Sequence, residues 1–401
     1  MSDFDIDVSD SEGIRKYIEH PVMHKVIEGG NYFFSMRKRI LFDLKKEYYF
    51  NSFLSILKAF EKDDRFETAF YVGPNEERKW GFIPVYRKSG IERRLRNRGL
   101  TVVSSPAGFD AVVAADALKN PERYGNPLLF VSDHGPGTKT LRFRNIARQK
   151  DRRYVVFVEG RYWMDVIKRF GFENAAEWVM TGVPKLDTLF WEGYYDREKI
   201  LTGLHLDPTR KTVLYAPSYR PSCIPFIKEK IARVADSCNL IIKLHPYSWE
   251  GKYASPGQSS LYVKLTGKDR RIALVPRDDF DFHPYMFAAD TVISDTSSAL
   301  AICLAHKKVG IVADFPYPRM THSDGIPIVS DEPHDYLTDV FVHFSRVEDL
   351  TDAVAHAVNP SAEMMRKLLE YRGYYFTGLD GKAGERAKDC IAEKVIGKCR
   401  A

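Results

Sequence analysis

Pro127-Leu128-Leu129-Phe130-Val131, continuing into Ser132-Asp133-His134-Gly135-Pro136-Gly137, is answered further on by Asn239-Leu240-Ile241-Ile242-Lys243-Leu244-His245-Pro246. Each is an apolar, strand-like run that ends on a histidine. In open parallel sheets, ligands bind in the crevice outside the carboxyl ends of the strands. Two histidines so placed, one in each half, predict two domains facing each other across a cleft. Such a chain can hold a charged donor and an acceptor at once.

Short apolar runs surround both stretches. Thr68–Val72, Leu100–Ser104 and Tyr154–Val158 accompany the first, and Thr212–Ala216, Arg271–Val275, Thr291–Ser294 and Val309–Val312 accompany the second. Helical stretches lie between them, which is the pattern of βαβ units and a mostly parallel sheet. The fold class expected is therefore α/β. Gly182-Val183-Pro184 breaks the two series, and the boundary is expected near 183–205. The division drawn is 1–185, 186–365 and a helical segment 366–401. The stripe of Met364, Leu368 and Leu369 marks where the helical character begins.

Bulk composition agrees. A chain of 401 residues exceeds what one core usually holds. With 44% hydrophobic and 28% charged residues it is not a disordered chain. The net charge of +6 suits a polyanionic substrate, a nucleotide or an anionic membrane surface. The five cysteines, Cys223, Cys238, Cys303, Cys390 and Cys399, contain no C-x-x-C pair. Neither a zinc site nor a disulfide framework is expected. Asp3, Asp5, Asp7, Asp10 and Glu12 open the chain, opposite in charge to a signal peptide. No apolar run approaches the ~18 residues of a membrane span. The expectation is a cytoplasmic protein, either soluble or peripheral on the cytoplasmic face of a membrane.

Two basic stretches bear on that choice. Residues 31–57 place Phe34, Leu41, Leu44, Tyr48 and Phe53 at roughly helical spacing among Arg37, Lys38, Arg39, Lys45 and Lys46. They predict an amphipathic helix, either packed into the first domain or laid on anionic lipid. Arg87–Arg98 gathers Arg87, Lys88, Arg93, Arg94, Arg96 and Arg98. A solvated face is the ordinary reading, with membrane phosphate or a polyphosphate acceptor as its competitor. No nucleic-acid recognition motif accompanies the run.

Several motifs carry chemistry. Ser294-Asp295-Thr296-Ser297-Ser298 ends a strand and opens the apolar run Ala299–Ala305. A helix beginning there presents unpaired amides, and its hydroxyls can complete a phosphate cradle; a plain N-cap is the alternative. His245 can donate to a phosphate oxygen and stabilise charge on a leaving group. His134 can take a proton from an attacking hydroxyl near neutrality, and Gly135 permits close backbone approach. In Tyr215-Ala216-Pro217-Ser218-Tyr219-Arg220, the guanidinium suits bidentate contact with phosphate. Asp279-Phe280-Asp281 has the D-x-D spacing of a metal-bound sugar diphosphate but reads as a helix-entry loop.

Together these stretches resemble the CDP-glycerol glycerophosphotransferase family, the teichoic-acid primases and polymerases. The likeness is carried by His134-Gly135, Gly182–Asp187, Tyr215–Arg220, Lys243–Pro246, Asp295–Ser298 and Asp380-Gly381-Lys382-Ala383-Gly384-Glu385-Arg386, in the family's order. The sequence departs from the family's pattern at Thr296, where an aromatic is frequent, at Lys185 and Leu186, and in lacking an acidic residue near Ala301–Leu304.

The resemblance implies the GT-B architecture: two Rossmann-like domains facing a cleft, with a C-terminal helix crossing back to the first. It implies transfer of glycerol phosphate, or a related polyol phosphate, from a CDP-activated donor to a hydroxyl of a lipid-linked or polymer acceptor, releasing CMP. His134 and His245 would be catalytic. Gly135, Arg220, Asp295, Thr296, Ser297 and Ser298 would bind substrate. No metal ligand set or cofactor is expected, and the reaction is read as metal-independent. A GT-B nucleotide-sugar glycosyltransferase or sugar epimerase is the alternative, and a non-catalytic membrane- or polymer-binding protein ranks below it.

Overall fold

In this computed structural model the described residues are 23–28, 31–46, 49–73, 75–79, 83–87, 90–132, 135, 139–249, 257–279, 281–295, 297–322, 324–328 and 339–397. Two parallel sheets organise them. The first runs, edge to edge, Glu177–Met180, Tyr154–Val158, Leu128–Val131, Ala111–Ala114, Lys38–Asp43, Phe66–Tyr71 and Val102–Val103. The second runs Ile272–Leu274, Asn239–Ile242, Thr212–Tyr215, Thr291–Ser294, Ile311–Ala313 and Val342–Phe344. Counted along the chain, both follow the 3-2-1-4-5-6 order, the first with a seventh strand appended. That order has one reversal per sheet, and ligands bind outside the carboxyl ends of the strands that flank it. In the first sheet the reversal lies between Lys38–Asp43 and Ala111–Ala114. In the second it lies between Thr212–Tyr215 and Thr291–Ser294.

The helix expected over 31–57 does not form. Asn31–Met36 is a strand, Lys38–Asp43 is the first strand of the first sheet, and the helix is Phe50–Phe60. Ile40, Leu41 and Phe42 are fully buried. A parallel strand covered on both faces reads as an unbroken apolar run. Its large residues, added to those of the following helix, imitate a helical period that no single element has. The true helix buries Phe53, Ile56, Leu57 and Phe60, the i, i+3, i+4, i+7 stripe of an amphipathic segment.

The C-terminal helix Ala383–Gly397 crosses back as expected. Its Ala387, Ile391, Ala392 and Val395 join Phe53, Ile56 and Phe60 in the core of the first lobe. Its first turn is fixed by Asp187, whose carboxylate accepts from the Ala383 and Gly384 amides at 3.0 and 2.7 Å. Gly384 lies so close that a Cβ there would stand 2.5 Å from the Ser55 carbonyl carbon. Arg386 donates to the Thr181 and Gly378 carbonyls at 2.8 and 2.7 Å. The stretches Gly182–Asp187 and Asp380–Arg386 therefore meet each other. They clamp the lobe junction at the edge of the first sheet, away from its reversal. The expected boundary at 185/186 lies inside the 3-10 segment Pro184–Phe190, and the expected start at 366 lies inside the helix Ala362–Tyr375.

Candidate functional site

Each reversal releases a loop toward the other lobe. In the second lobe the loop after Tyr215 is shaped by Asp295. This carboxylate is 1% exposed and accepts from the Ser218 and Cys223 amides, each at 2.8 Å. Burial pushes its pKa up, against the pull of those two amides. Ser294 Oγ donates to the Ala216 carbonyl at 2.6 Å, and Ser218 Oγ donates to the Pro221 carbonyl. Asp295 is thus committed to holding the loop that presents Tyr219 and Arg220. Arg220 itself is exposed.

Ser297 and Ser298 precede the helix Ala299–Ala305. Ser297 Oγ accepts from the Ala299 amide at 3.2 Å, so this hydroxyl serves the helix start. Ser298 faces the other lobe: a Cβ on Gly135 would lie 3.6 Å from Ser298 Oγ. The loop after Leu128–Val131 and the start of this helix are therefore in van der Waals reach across the cleft. His134 and Thr296 lie outside the described residues.

His245 follows the strand Asn239–Ile242, adjacent to the reversal. Its Nδ1 accepts from the Tyr247 amide at 3.1 Å. Its ring lies against Tyr219, centroids 4.5 Å apart and 37° between planes, and against Tyr247 at 5.3 Å. Lys46, in the loop after Lys38–Asp43 of the first lobe, places Nζ 5.5 Å from the Tyr247 ring centre and 5.5 Å from that of Tyr49. The two reversals thus approach each other at Lys46 and Tyr247.

Lys243 leads elsewhere. It donates to the Asp279 carbonyl, and burial lowers its pKa although Asp279 and Asp281 oppose this. Asp281 accepts from the His283 amide at 3.1 Å, so Asp279 and Asp281 do form a helix-entry loop, ahead of His283–Ala288. Among the described residues, no three His, Cys, Asp or Glu side chains are grouped so as to hold a metal ion.

Sequence reasoning missed several groups here. Lys46 could have been found had Ile40–Leu44 been read as a strand, because the loop beyond a central strand is the expected ligand position. Asp43 ends that strand and accepts from Tyr124 Oη at 3.0 Å; burial raises its pKa to about 6. Arg144 and Arg148, on the helix Leu141–Gln149, pair with Asp324 of the second lobe at 2.6 and 2.5 Å. Burial opposes the charge on Asp324, but the two arginines outweigh it and hold its pKa down at about 2. Nothing local in the sequence links positions so far apart.

Two Rossmann-like lobes with facing reversals define an α/β enzyme of the GT-B type. The fold has several solved counterparts. The wall teichoic acid polymerase TagF superposes with a TM-score of 0.61 at 16% identity, covering 91% of this chain and 90% of that one. A histidine-to-asparagine variant of TagF soaked with CDPG gives 0.60 at 16% identity, covering 91% and 90%. A UDP-N-acetylglucosamine 2-epimerase gives 0.54 at 12% identity, covering 90% and 95%. At such identities the likeness shows the fold alone, shared by transferase and epimerase. No curated protein matches the sequence.

Residues 129–301 match the model of the CDP-glycerol:poly(glycerophosphate) glycerophosphotransferase family. That span runs from the strand before His134 to the helix after Ser298, taking in Arg220 and His245. The stretch that holds these candidate site residues is thus similar to the family that the motifs resemble.

Proposed function

We propose that this enzyme transfers glycerol phosphate, or a closely related polyol phosphate, from a CDP-activated donor to a hydroxyl of a lipid-linked or polymer acceptor in teichoic-acid-like or capsule polymer synthesis. The observation that supports the reading is the approach of Gly135 to Ser298, where a Cβ on the glycine would lie 3.6 Å from the Ser298 hydroxyl, within the stretch similar to the family. Gly135, next in sequence to His134, is thereby near the helix start proposed to hold the donor's phosphates.

The step balances as follows. The acceptor oxygen forms a bond to the glycerol-bearing phosphorus while the bond from that phosphorus to the CMP oxygen breaks. CMP leaves with the bonding pair, and the hydroxyl proton passes to the His134 imidazole. His245 and Arg220 stabilise negative charge on the diphosphate, with Thr296, Ser297 and Ser298 contributing hydroxyl and amide donors. Fixed donors and positive charge supply most of the catalysis, as in other phosphoryl transfers. The reaction proceeds without a metal in this reading. The protein works on the cytoplasmic side, and the exposed Arg93, Arg94, Arg96 and Arg98 are the surface offered to an anionic membrane. No helix among the described residues is long and apolar enough to cross one.

The test is CMP release and product mass from CDP-glycerol with a glycerol-phosphate-primed acceptor. His134→Ala should abolish turnover while leaving donor binding intact; wild-type rate in that variant removes the base assignment. Turnover should survive EDTA. Turnover of UDP-sugars in place of CDP-glycerol would favour the glycosyltransferase or epimerase reading.

A further inference from the structure

We infer that Tyr219 and Tyr247 are positioning residues that hold the His245 imidazole as a neutral donor with its proton on Nε2. This deepens the proposed function and rests on it for the kinetic part.

Tyr247 N–H points at His245 Nδ1 from 3.1 Å. A nitrogen that accepts a hydrogen bond must offer a lone pair, so Nδ1 carries no proton and the neutral ring carries it on Nε2. Protonating Nδ1 would set two N–H groups against each other, so this contact opposes the imidazolium form. Rotation of the ring is restricted from two sides. Tyr219 lies against it at 4.5 Å and Tyr247 at 5.3 Å, and the two tyrosine rings meet nearly edge to face, 5.1 Å apart and at 77°.

The clamp is itself fixed. Tyr219 sits in the loop that Asp295 holds through Ser218 and Cys223. Tyr247 sits on the short helix Pro246–Trp249, and its ring faces the Lys46 ammonium of the first lobe. His245 is thereby an oriented, uncharged hydrogen-bond donor, and the positive charge of the site rests on Arg220 and Lys46. A histidine so held stabilises charge on the leaving CMP without exchanging a proton of its own. This separates it from His134, which must accept one.

Two measurements test this on the full-length protein. Nitrogen-15 spectra of histidine-labelled enzyme, with the His245 signals assigned by their loss in His245→Gln, should show a protonated Nε2 and an unprotonated Nδ1 at about pH 7.5. A proton on Nδ1, or a doubly protonated ring, overturns the inference. In steady-state kinetics, Tyr219→Leu should lower kcat for CMP release by about tenfold or more with donor KM nearly unchanged, because orientation is lost and binding is not. Tyr219→Phe and Tyr219→Trp, which keep the ring, should stay near wild type. Wild-type kcat in Tyr219→Leu, or an equal loss in Tyr219→Phe, overturns it. If Tyr219→Leu fails to fold by circular dichroism, Tyr247→Leu removes the second ring and is read the same way. Should the wild type release no CMP from CDP-glycerol, the proposed function fails, and the tautomer of the free enzyme still decides the inference.

Discussion

Acid should strike this protein through a buried ring that the proposed reaction does not use. His283 is 1% exposed at the start of His283–Ala288, and neither ring nitrogen has a hydrogen-bond partner among the described residues. His306 stacks against it, centroids 6.4 Å apart and 24° between planes. The charged groups that shift the two rings are cationic: Lys185 at His283, and Lys308 and Arg372 at His306. Burial first, and then these cations, hold both rings well below the ordinary histidine range. The folded pKa therefore lies below the unfolded one. Above about pH 6.5 neither state binds the proton and stability is untouched; below it the unfolded chain binds a proton that the folded chain refuses, and stability falls. Between about pH 7.5 and about pH 5 this costs about 2 kcal/mol for His283, given an unfolded pKa of ~6.5. The assay is urea unfolding followed by tryptophan fluorescence at both pH values, for wild type and His283→Leu. The variant should lose about 2 kcal/mol less on acidification, since its other titrating groups are shared. It should be no weaker than wild type near neutrality, because two unpartnered buried nitrogens are removed. An identical acid loss in both proteins would refute the reasoning.

Other perturbations follow from the same geometry. Asp43 has a folded pKa of about 6, so its ionisation is a cost that grows as pH rises through that value. Asp43→Asn should therefore stabilise the protein by about 3 kcal/mol near pH 7.5 and not at about pH 4, read by urea midpoints. Asp324→Asn removes the carboxylate shared by Arg144 and Arg148. It should cost on the order of 3 kcal/mol by leaving the buried Arg144 without its ion pair, and small-angle scattering should show the lobes moving apart. Gly384→Ala would press a Cβ to 2.5 Å from the Ser55 carbonyl carbon. It should cost about 3 kcal/mol, the upper end for overpacking, with no change in the donor KM of the folded fraction.

Much of the architecture was legible because strands buried on both faces announce themselves. Tyr154–Val158 and Thr291–Ser294 were read with the bounds they have, since a short apolar, β-branched run has few other uses. Lys38–Asp43 failed the same reading because Phe34 and Tyr48 lie outside it and extend its spacing into a false helical period. The edge strands Glu177–Met180 and Val342–Phe344 span only four and three residues, too short for alternation to separate them from loop. The motifs were legible as a set, yet they divide in space. Gly182–Asp187 and Asp380–Arg386 close the lobe junction, whereas Ser218–Arg220, His245 and Ser297–Ser298 line the strand ends.

Local order was the sequence's to determine. Apolar periodicity and turn residues set the α/β class and the strand-end histidines, and the matched motifs set the reaction family, because each depends only on neighbours along the chain. Tertiary structure decided the rest: that Asp295 is spent on a loop, that Lys46 faces Tyr247, that Asp324 reaches Arg144, and that Gly135 rests on Ser298. These pairings depend on strand order and on the twist that turns two sheet edges toward each other. Such geometry arises only when distant segments pack, and no local run of residues encodes it.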